Sequence, residues 1–452
     1  MGSRRSGQLV ERSHPLLGAD HERHLLGSEA DLLALAEAPP VRSRIGPTTT
    51  PTRGTIVPMQ HLLALRLGIG LLLFAAVLGC EGQRPTDARP TLATSRVEPS
   101  AAANVSTSPR PRGLFAVVEW GAAPRPETWQ SELLAGVVVR TYWKDLNPRR
   151  GVYEWGLLDS VLRDAEAAHK QIHLIVAPGF YAPTFVLEDP GVQKAAFDIP
   201  KGPKHKAALS APLPLPWDEK YLAEWFSFVD RLAERYATRP GLGYVSITGP
   251  NSHNGEISLP RGPDDVRKWL ELSRGDADAL SAKLSTAWRR TIDHYCVRFR
   301  AKHATLAIIL RSLPLAGDPE RDDRYKRGLV AYGTESCAAT FGVQTNGLDA
   351  RDVASGDDDE FPTWQIVGSY STKILTGLQT RAPGNLFGAK QGRGAKGGPD
   401  ASETLRRTLR NGLAQRPDFI EVYEQDALAA DFAPVLHKAR DELTRTAPSP
   451  GK

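Results

Sequence analysis

Carboxyl groups at the ends of apolar runs are the residues of this chain best placed to do chemistry. Glu119 closes one such run, Glu256 lies in a loop after another, and Glu421 lies inside a third. Two carboxyl groups, one protonated and one ionised, can share acid–base work if the fold brings them together. The elements that carry them therefore decide what this chemistry can be.

Short apolar runs alternate with amphipathic stretches from residue 114 onward. The predicted strands are Leu114–Glu119, Val137–Tyr142, Ile172–Ala177, Tyr244–Thr248, Leu306–Leu310, Thr340–Thr345, Ile374–Gln379 and Phe419–Tyr423. The predicted helices are Gly156–Lys170, Asp218–Thr238, Asp276–Lys302 and Glu403–Gln415. Eight strands with helices between them predict an α/β fold, a closed (β/α)8 barrel, with catalytic groups at the carboxyl ends of the strands. The alternative is an open doubly wound sheet.

The segment 137–159, VVVRTYWKDLNPRRGVYEWGLLD, is the most specific part of the chain. Its spacing W-x4-P-x2-G-x-Y-x-W-x3-D resembles the second strand–helix unit of barrel glycoside hydrolases of the β-galactosidase-like and cellulase-like groups. The resemblance covers about residues 114–440 and is carried mainly by 137–159 and 216–260. It implies hydrolysis of a β-linked glycoside or polysaccharide by a pair of carboxylates, without a metal or organic cofactor.

The resemblance also implies roles for particular carboxylates. Glu256 stands near the place where the family keeps its acid/base Glu, although Asn251 lies five residues earlier instead of adjacent. Glu421, inside an apolar strand, is predicted as nucleophile or base, because a buried charge needs a function or a partner. The alternatives are an ordinary surface-loop carboxylate for Glu256 and a structural ion pair, for example with Arg140, for Glu421.

Gln379 is a departure from the family pattern. It ends the seventh predicted strand, where the family has its nucleophile, and an amide cannot form the glycosyl ester. A catalytically inactive, glycan-binding barrel is therefore the alternative function, and an envelope lipoprotein without a ligand is a third.

Aromatic, amide and charged side chains cluster at the predicted carboxyl ends of the strands. Sugar sites combine aromatic platforms with such polar groups. The residues predicted to contact a carbohydrate are Glu119, Arg140, Trp143, Tyr181, Asn251, His253, Gln344, Asn346, Gln379 and Glu424.

The amino-terminal part is predicted to be a targeting segment and not part of the folded domain. Residues 67–78 form an apolar run of twelve, too short for a membrane span of about twenty residues but suited to a secretory signal. Gly79 before Cys80 resembles a bacterial lipoprotein box, which implies lipidation of Cys80. A plain buried helix is the alternative. Residues 59–80 are thus predicted as a lipoprotein signal, and residues 1–58 as a non-globular extension or a mis-called start.

Residues 81–112 are rich in Pro, Ser, Thr and Ala and are predicted to be a disordered linker. The barrel is predicted over 113–440 and a disordered tail over 441–452. We expect an exported protein, anchored by lipid in the bacterial envelope, at the periplasm or cell surface. Cys296 and Cys337 could then form a disulfide or remain two buried thiols.

The charge pattern indicates a mixed, solvated surface. The formal net charge is +5 over 452 residues, and no block of interleaved basic and aromatic residues occurs. We therefore expect no nucleic-acid partner. Cysteine and histidine spacings do not suggest zinc, and we expect no metal and a monomer.

Overall fold

The computed structural model describes residues 110–199, 209–299, 304–313, 319–337, 340–350, 361–381 and 401–445. The predicted extension (1–58), the predicted signal with Cys80 (59–80) and most of the predicted linker (81–112) lie outside the described residues.

Ten strands are described, and eight of them form a closed parallel barrel. The strands are β1 (Gly113–Val117), β2 (Leu134–Tyr142), β3 (Gln171–Ala177), β4 (Lys194–Ile199), β5 (Leu209–Pro214), β6 (Leu242–Ser246), β7 (Thr305–Leu310), β8 (Phe341–Leu348), β9 (Leu375–Thr380) and β10 (Phe419–Tyr423). The barrel order is β1-β2-β3-β6-β7-β8-β9-β10, and β10 pairs with β1 to close it. Strands β4 and β5 form a separate antiparallel hairpin between β3 and β6.

Helices follow most of the barrel strands. Those in the described residues are α1 (Pro126–Gln130), α2 (Trp143–Leu146), α3 (Gly156–Ala167), α4 (Thr184–Leu187), α5 (Glu219–Tyr236), α6 (Pro263–Ser273), α7 (Ala277–Phe299), α8 (Pro319–Cys337), α9 (Phe361–Tyr370), α10 (Ala401–Leu413), α11 (Glu424–Ala427) and α12 (Ala433–Arg445), with short 3₁₀ turns at Gly179–Tyr181 and Ala430–Phe432.

Local sequence explains the main elements. Strand β7 reads TLAIIL and is buried along its whole length, as expected for a parallel strand covered on both faces. Helix α5 carries an apolar stripe that includes Trp225 and Phe228, and its buried residues face the barrel. The Asp218 carboxylate caps this helix by accepting a hydrogen bond from the Tyr221 amide at 2.8 Å.

The apolar core has two parts. The larger part fills the space between the barrel and its helices. The smaller part fills the barrel interior, where the rings of Phe115, Tyr244 and Phe419 meet edge-on or tilted with centroids 4.7–5.7 Å apart. This packed interior leaves the carboxyl end of the barrel as the place for a site.

The structure confirms the (β/α)8 barrel and all eight predicted barrel strands, and it excludes the open sheet. The elements that were not predicted are the β4–β5 hairpin, the longer helices α6, α8, α9 and α12, and the short helices α1, α2, α4 and α11. Helix α9 lies between the sixth and seventh barrel strands, where no helix was predicted. Helix α12 reaches Arg445, so the predicted start of a disordered tail at residue 441 is wrong.

A disulfide joins two helices of the outer layer. Cys296 in α7 and Cys337 in α8 form a disulfide, with Cα atoms 5.2 Å apart. This settles the choice between a disulfide and two thiols that the sequence left open. Within the part of the chain that the structure describes, no helix combines the length and apolar character needed to cross a bilayer.

Candidate functional site

A polar cavity of about 230 Å³ opens at the carboxyl ends of the barrel strands. Each of the eight barrel strands, or the segment directly after it, contributes to its wall. The lining residues are Trp120, Arg140, Ile175, Asn254, Gly255, Glu256, Arg311, Asn346, Gln379, Arg381 and Tyr423. We call this space the mouth cavity. A larger groove of about 350 Å³ lies between α5 and α7, and none of its lining residues belongs to a barrel strand.

Glu256 reaches the mouth cavity by an unusual route. Strands β6 and β7 pair in parallel, and the last paired residues are Ser246 and Ala307. If this register continued for two more residues, Thr248 would lie opposite Ile309. Instead the chain leaves the barrel and returns, and Glu256 forms the bridge with Ile309. The Ile257 amide then donates to the Ile309 carbonyl at 2.9 Å. Glu256 thus occupies the rim position that a continuous fourth barrel strand would give to residue 248.

The excursion between Thr248 and Glu256, which we call the rim loop, is held from several sides. Trp225 Nε1 donates to the Thr248 carbonyl at 2.7 Å, and the Tyr221 hydroxyl donates to the Gly249 carbonyl at 2.7 Å. The Phe180 amide donates to the Ser252 carbonyl at 2.8 Å. These bonds fix the loop to α5 and to the turn after β3, so that Glu256 is placed by rigid elements.

The Glu256 carboxylate is shielded, with 12% of its side chain exposed. Its Oε2 accepts a hydrogen bond from Asn254 Nδ2 at 2.9 Å, and Arg311 Nε lies 3.9 Å from the same oxygen. The Asn254 carbonyl oxygen, Oδ1, accepts from the Glu256 amide at 3.0 Å. Asn254 therefore orients Glu256 at both ends.

Glu421 lies deeper, inside the barrel, and is fully buried. Its Oε1 accepts from the Tyr244 hydroxyl at 2.6 Å and is 2.6 Å from His173 Nδ1, and its Oε2 accepts from Gln344 Nε2 at 2.7 Å. The other imidazole nitrogen, His173 Nε2, is 2.7 Å from Ser246 Oγ. This network meets the needs of a buried carboxylate, but Glu421 itself does not line the mouth cavity.

Glu421 is nevertheless next to the cavity wall. Its register partner on β9 is Gln379, which lines the cavity and is 5% exposed. Gln344 joins the two levels, because its Nε2 also donates to Asn346 Oδ1 at 2.9 Å, and Asn346 lines the cavity. The buried carboxylate thus lies one layer beneath the floor.

Arg140 forms part of the cavity wall without the ion pair that was the alternative for Glu421. Its Nε and Nη2 both donate to the Val118 carbonyl, at 2.9 and 2.6 Å. The guanidinium carbon lies 5.0 Å from the Trp120 ring centroid and 5.8 Å from that of Tyr423. Burial lowers the pKa of Arg140, and electrostatic interactions with Tyr423 and Glu421 partly offset this effect.

An aromatic row extends from the cavity along the rim. Trp120 stacks on Tyr142 with ring centroids 5.1 Å apart and an interplanar angle of 11°. The ring centroids of Tyr142 and Tyr181 are 4.1 Å apart. Burial raises the pKa of Tyr181, and it likewise raises the pKa of Tyr142. Both phenols therefore stay neutral and can donate hydrogen bonds at neutral pH.

The other predicted polar residues take supporting positions. Asn251 is 2% exposed and holds the rim loop in place. Its Oδ1 accepts a hydrogen bond from the Gly249 amide at 2.8 Å, and its Nδ2 donates to the main-chain carbonyl of Asn254. His253 Nδ1 is 2.6 Å from Ser252 Oγ. Burial, with a smaller contribution from the Arg311 charge, lowers the pKa of His253 to about 4.

Seven of the ten predicted contact residues do not line the cavity, and three of these seven also take no part in the rim loop, the aromatic row or the Glu421 network. Trp143 is fully buried against Trp225 and Phe228, because β2 ends at Tyr142 and Trp143 begins α2. The expectation that Trp143 touches a carbohydrate is therefore corrected: it is a core residue.

Glu424 and Glu119 are the other two. Glu424 begins α11, and its Oε1 accepts from the Arg125 amide at 2.8 Å and the Thr128 hydroxyl at 2.6 Å. It is 6% exposed and ties helix α1 to the barrel. Glu119 is exposed and does not line the cavity.

Seven lining residues were not among the predicted site residues: Trp120, Ile175, Asn254, Gly255, Arg311, Arg381 and Tyr423. A positional signal was available for two of them. Arg311 directly follows the fifth predicted strand, and Arg381 comes two residues after the seventh. Polar residues at the carboxyl ends of barrel strands are candidates by position alone. Among the described residues, no group of three or more His, Cys, Asp or Glu could hold a metal ion.

Taken together, the described residues define a (β/α)8 barrel with a polar, arginine-containing cavity at the carboxyl ends of its strands. No protein-family profile matches the sequence, and no curated protein matches it.

Solved structures of three β-galactosidases resemble the fold. The enzyme of the Antarctic haloarchaeon Halorubrum lacusprofundi has 13% identity and a TM-score of 0.45, over 74% of this chain and 58% of that one. The enzyme of the psychrophilic Marinomonas ef1 has 13% identity and a TM-score of 0.44, over 74% and 59%. The cold-adapted enzyme of Rahnella sp. R3 has 11% identity and a TM-score of 0.44, over 76% and 57%. The chain thus spans less than two thirds of the length of these proteins.

Proposed function

We propose that this barrel is a glycoside hydrolase that binds a β-linked sugar in the mouth cavity, with Glu256 as the proton donor to the leaving oxygen. One observation carries the proposal: a shielded carboxylate occupies the rim position of the fourth barrel strand, inside the cavity at the strand ends. A general acid must lie within hydrogen-bond reach of the atom that it protonates. The cavity is where such an atom would lie.

The remaining wall suits a sugar. Asn254, Asn346 and Gln379 offer amide donors and acceptors for hydroxyl groups, and Trp120 offers an aromatic face for the apolar CH face of a ring. The volume of about 230 Å³ is below the range of roughly 300–1,000 Å³ that holds drug-sized ligands. We therefore expect one sugar ring to occupy the cavity, with further rings outside it.

Glu421 is proposed as the second carboxylate, acting as nucleophile or base. Its oxygens accept hydrogen bonds from Tyr244 and Gln344, and both proposed roles require an ionised carboxylate. Its complete burial beside Gln379 means that a local rearrangement must bring it into contact with the substrate. The stereochemical course would separate the roles, because retention requires a nucleophile and inversion a base.

The test is turnover of a panel of aryl glycosides and β-linked oligosaccharides by the full chain. Glu256→Gln and Glu421→Gln should each lower kcat by about 100-fold or more, the usual size of general acid–base contributions. Glu335→Gln is the matched control, because it makes the same replacement at an exposed glutamate on α8. It should leave turnover unchanged. Unchanged turnover in both cavity variants would remove the assignment.

A glycan-binding barrel without catalysis is the second candidate. It is favoured by Gln379 at the carboxyl end of the seventh barrel strand and by the complete burial of Glu421. In this case sugars should bind to the full chain by calorimetry, with no turnover of any panel member. Glu256→Gln would then change affinity alone.

We also propose export and a lipid anchor at Cys80. The support is the apolar run before Gly79–Cys80 in the sequence and the disulfide between Cys296 and Cys337, since disulfides persist in oxidising compartments. Intact-mass measurement of protein from the membrane fraction should find a diacylated amino-terminal Cys80. Cys80→Ser should move the protein to the soluble fraction; a membrane-bound Cys80→Ser variant would contradict the anchor. Light scattering would test the predicted monomer.

A further inference from the structure

Three hydrogen bonds hold the side chain of Asn254 in one orientation. Its Oδ1 accepts from the Glu256 amide at 3.0 Å and from the Ser258 hydroxyl at 3.1 Å. A main-chain amide can only donate, so the side-chain oxygen of Asn254 must face it. The Nδ2 group is therefore the end that faces Glu256 Oε2, at 2.9 Å.

The main chain around Asn254 is fixed as well. Its carbonyl accepts from Asn251 Nδ2, and Asn251 is buried. A Cβ added at the neighbouring Gly255 would lie 2.7 Å from Ile175 Cγ2 and 3.0 Å from Ile309 Cδ1, so this segment packs closely against the barrel. The amide thus reaches the carboxylate from a backbone that has little room to move.

The two oxygens of the Glu256 carboxylate have different surroundings. Within the described residues, its polar contacts fall on Oε2, which accepts from Asn254 Nδ2 and lies 3.9 Å from Arg311 Nε. A proton on Oε2 would point a further hydrogen away from an oxygen that already faces an N–H donor and a guanidinium. In the acid form the proton is therefore expected on Oε1, the oxygen that Asn254 leaves to a ligand in the mouth cavity.

Proton donation changes the charge of Glu256, and the hydrogen bond from Asn254 responds to that change. As the proton passes from Oε1 to a leaving oxygen, the carboxyl group becomes a carboxylate. A hydrogen bond to an ionised acceptor is roughly twice as strong as one between neutral groups, so the bond from Nδ2 strengthens during this step. An interaction that is stronger in the transition state than in the ground state raises kcat.

We propose that Asn254 is a positioning residue for proton donation in the mouth cavity: it holds Oε2 of Glu256 as a hydrogen-bond acceptor, so that Oε1 delivers the proton to the leaving oxygen. The inference rests on the proposed function, since it assumes that Glu256 is the proton donor. It adds a residue that the sequence did not single out, and it specifies which oxygen carries the proton.

The test is Asn254→Asp in the full chain, assayed at the pH optimum of the parent with a dinitrophenyl and a methyl-substituted phenyl glycoside of the same sugar. The substitution keeps an acceptor oxygen for the Glu256 amide and for Ser258 but replaces the Nδ2 donor by a second acceptor. The kcat for the methyl-substituted phenyl glycoside, which needs the proton, should fall by about 10- to 100-fold. The kcat for the dinitrophenyl glycoside and both KM values should change little.

Asn147→Asp is the matched control. Asn147 is a buried asparagine whose Nδ2 donates to the carbonyls of Arg149 and Val152, at 2.9 and 2.8 Å, and it does not line the cavity. Any loss of turnover in this variant should be equal for the two substrates, because it acts through the fold alone. Asn254→Ala replaces Asn254→Asp if that variant does not fold, and it should show the same dependence on the leaving group.

The outcomes separate this inference from the proposed function. If Glu256→Gln depends on the leaving group but Asn254→Asp lowers turnover of both substrates equally, or of neither, the role of Asn254 is overturned while Glu256 remains the proton donor. A higher KM for both substrates at unchanged kcat would also overturn it, because Asn254 would then only bind the sugar. If Glu256→Gln shows no dependence on the leaving group, the proposed function fails and this inference fails with it.

Discussion

Glu256 and Trp143 show what single residues of this sequence can and cannot reveal. Trp143 directly follows an apolar run, Glu256 lies in the loop after another, and both were predicted to belong to the site. Glu256 lies there, but Trp143 turns into the helical layer because the chain becomes helical at that residue. The direction of a side chain just after a strand depends on the next few dihedral angles, and the sequence pattern does not specify these.

Arg311 and Arg381 show the opposite limit at this scale. Their positions after predicted strands were visible in the sequence, but arginine is usually a solvated surface residue. Only the closed barrel brings them together with Arg140 in one cavity. The cavity's charge is therefore a property of the fold and could not be read from any one segment.

His253 predicts how the rim loop responds to acid. Its pKa in the folded chain, lowered to about 4 by burial and by Arg311, is below the value of about 6.5 expected when unfolded. Between these values the unfolded chain binds more protons, so the free energy of unfolding falls as the pH falls from about 6.5 to about 4. The contribution of His253 is fully present above pH 6.5.

Urea unfolding at several pH values would measure this effect. A His253→Gln variant should lose stability less steeply over that window than the parent chain. Identical pH profiles for the two proteins, from pH 7 to pH 4, would contradict the burial of a neutral imidazole at this position.

At the scale of elements, the rim loop is the feature that sequence reasoning described least well. The fourth strand was predicted to end at Thr248, and the following loop was recognised, but not its return to the barrel beside Ile309. That return depends on backbone hydrogen bonds to β7 and to the turn after β3, and on hydrogen bonds from two side chains of α5. Bonds between segments so distant in sequence leave no periodic signal in the loop itself.

Gly179→Ala should displace the rim loop. Gly179 has φ of 65°, and a Cβ there would lie 2.2 Å from the Ser252 carbonyl oxygen and 2.5 Å from that of Asn251. Since both contacts are backbone atoms, the loop must move. We expect kcat, or sugar affinity if the barrel only binds, to fall by about 10-fold or more, and the free energy of unfolding to fall by more than the roughly 1 kcal/mol cost of φ alone.

Gly151→Ala is the matched control for this substitution. Gly151 has φ of 75°, but no atom lies within 4 Å of an added Cβ. It should therefore report only the backbone cost. Equal effects of the two substitutions on kcat or sugar affinity would show that the rim loop does not depend on the contact with Gly179.

At the scale of the whole molecule, the eight-stranded barrel was predictable from the sequence, but several helices and the hairpin added to it were not. Eight buried strands are visible in the sequence as apolar runs. Their number, together with the helices between them, favours a sheet that closes into a barrel. Helix α8 was missed because its sequence is mostly polar, with mixed charges and few buried apolar positions. The β4–β5 hairpin pairs two short segments, KAAFDI and LSAPLP, which lack an alternating apolar and polar pattern.

The disulfide should contribute to the stability of the whole domain. It joins α7 and α8 across 41 residues, and the chain-entropy relation gives about 4 kcal/mol for a loop of this length. Reducing agent should lower the urea midpoint of the parent chain, and the double variant Cys296→Ser, Cys337→Ser should be insensitive to it. Two free thiols titrated at these positions in the unreduced, denatured protein would contradict the pairing.

The central claim, that Glu256 protonates a glycosidic leaving group in the mouth cavity, is tested most directly by the dependence of kcat/KM on leaving-group acidity. A missing proton donor matters little when the leaving phenol is a strong acid and matters greatly when it is a weak one. We predict that Glu256→Gln retains most turnover of a dinitrophenyl glycoside but loses about 100-fold or more with a methyl-substituted phenyl glycoside, whereas Glu335→Gln matches the parent chain with both. An equal loss in Glu256→Gln with both substrates, or no loss with either, would contradict the role of Glu256 as proton donor.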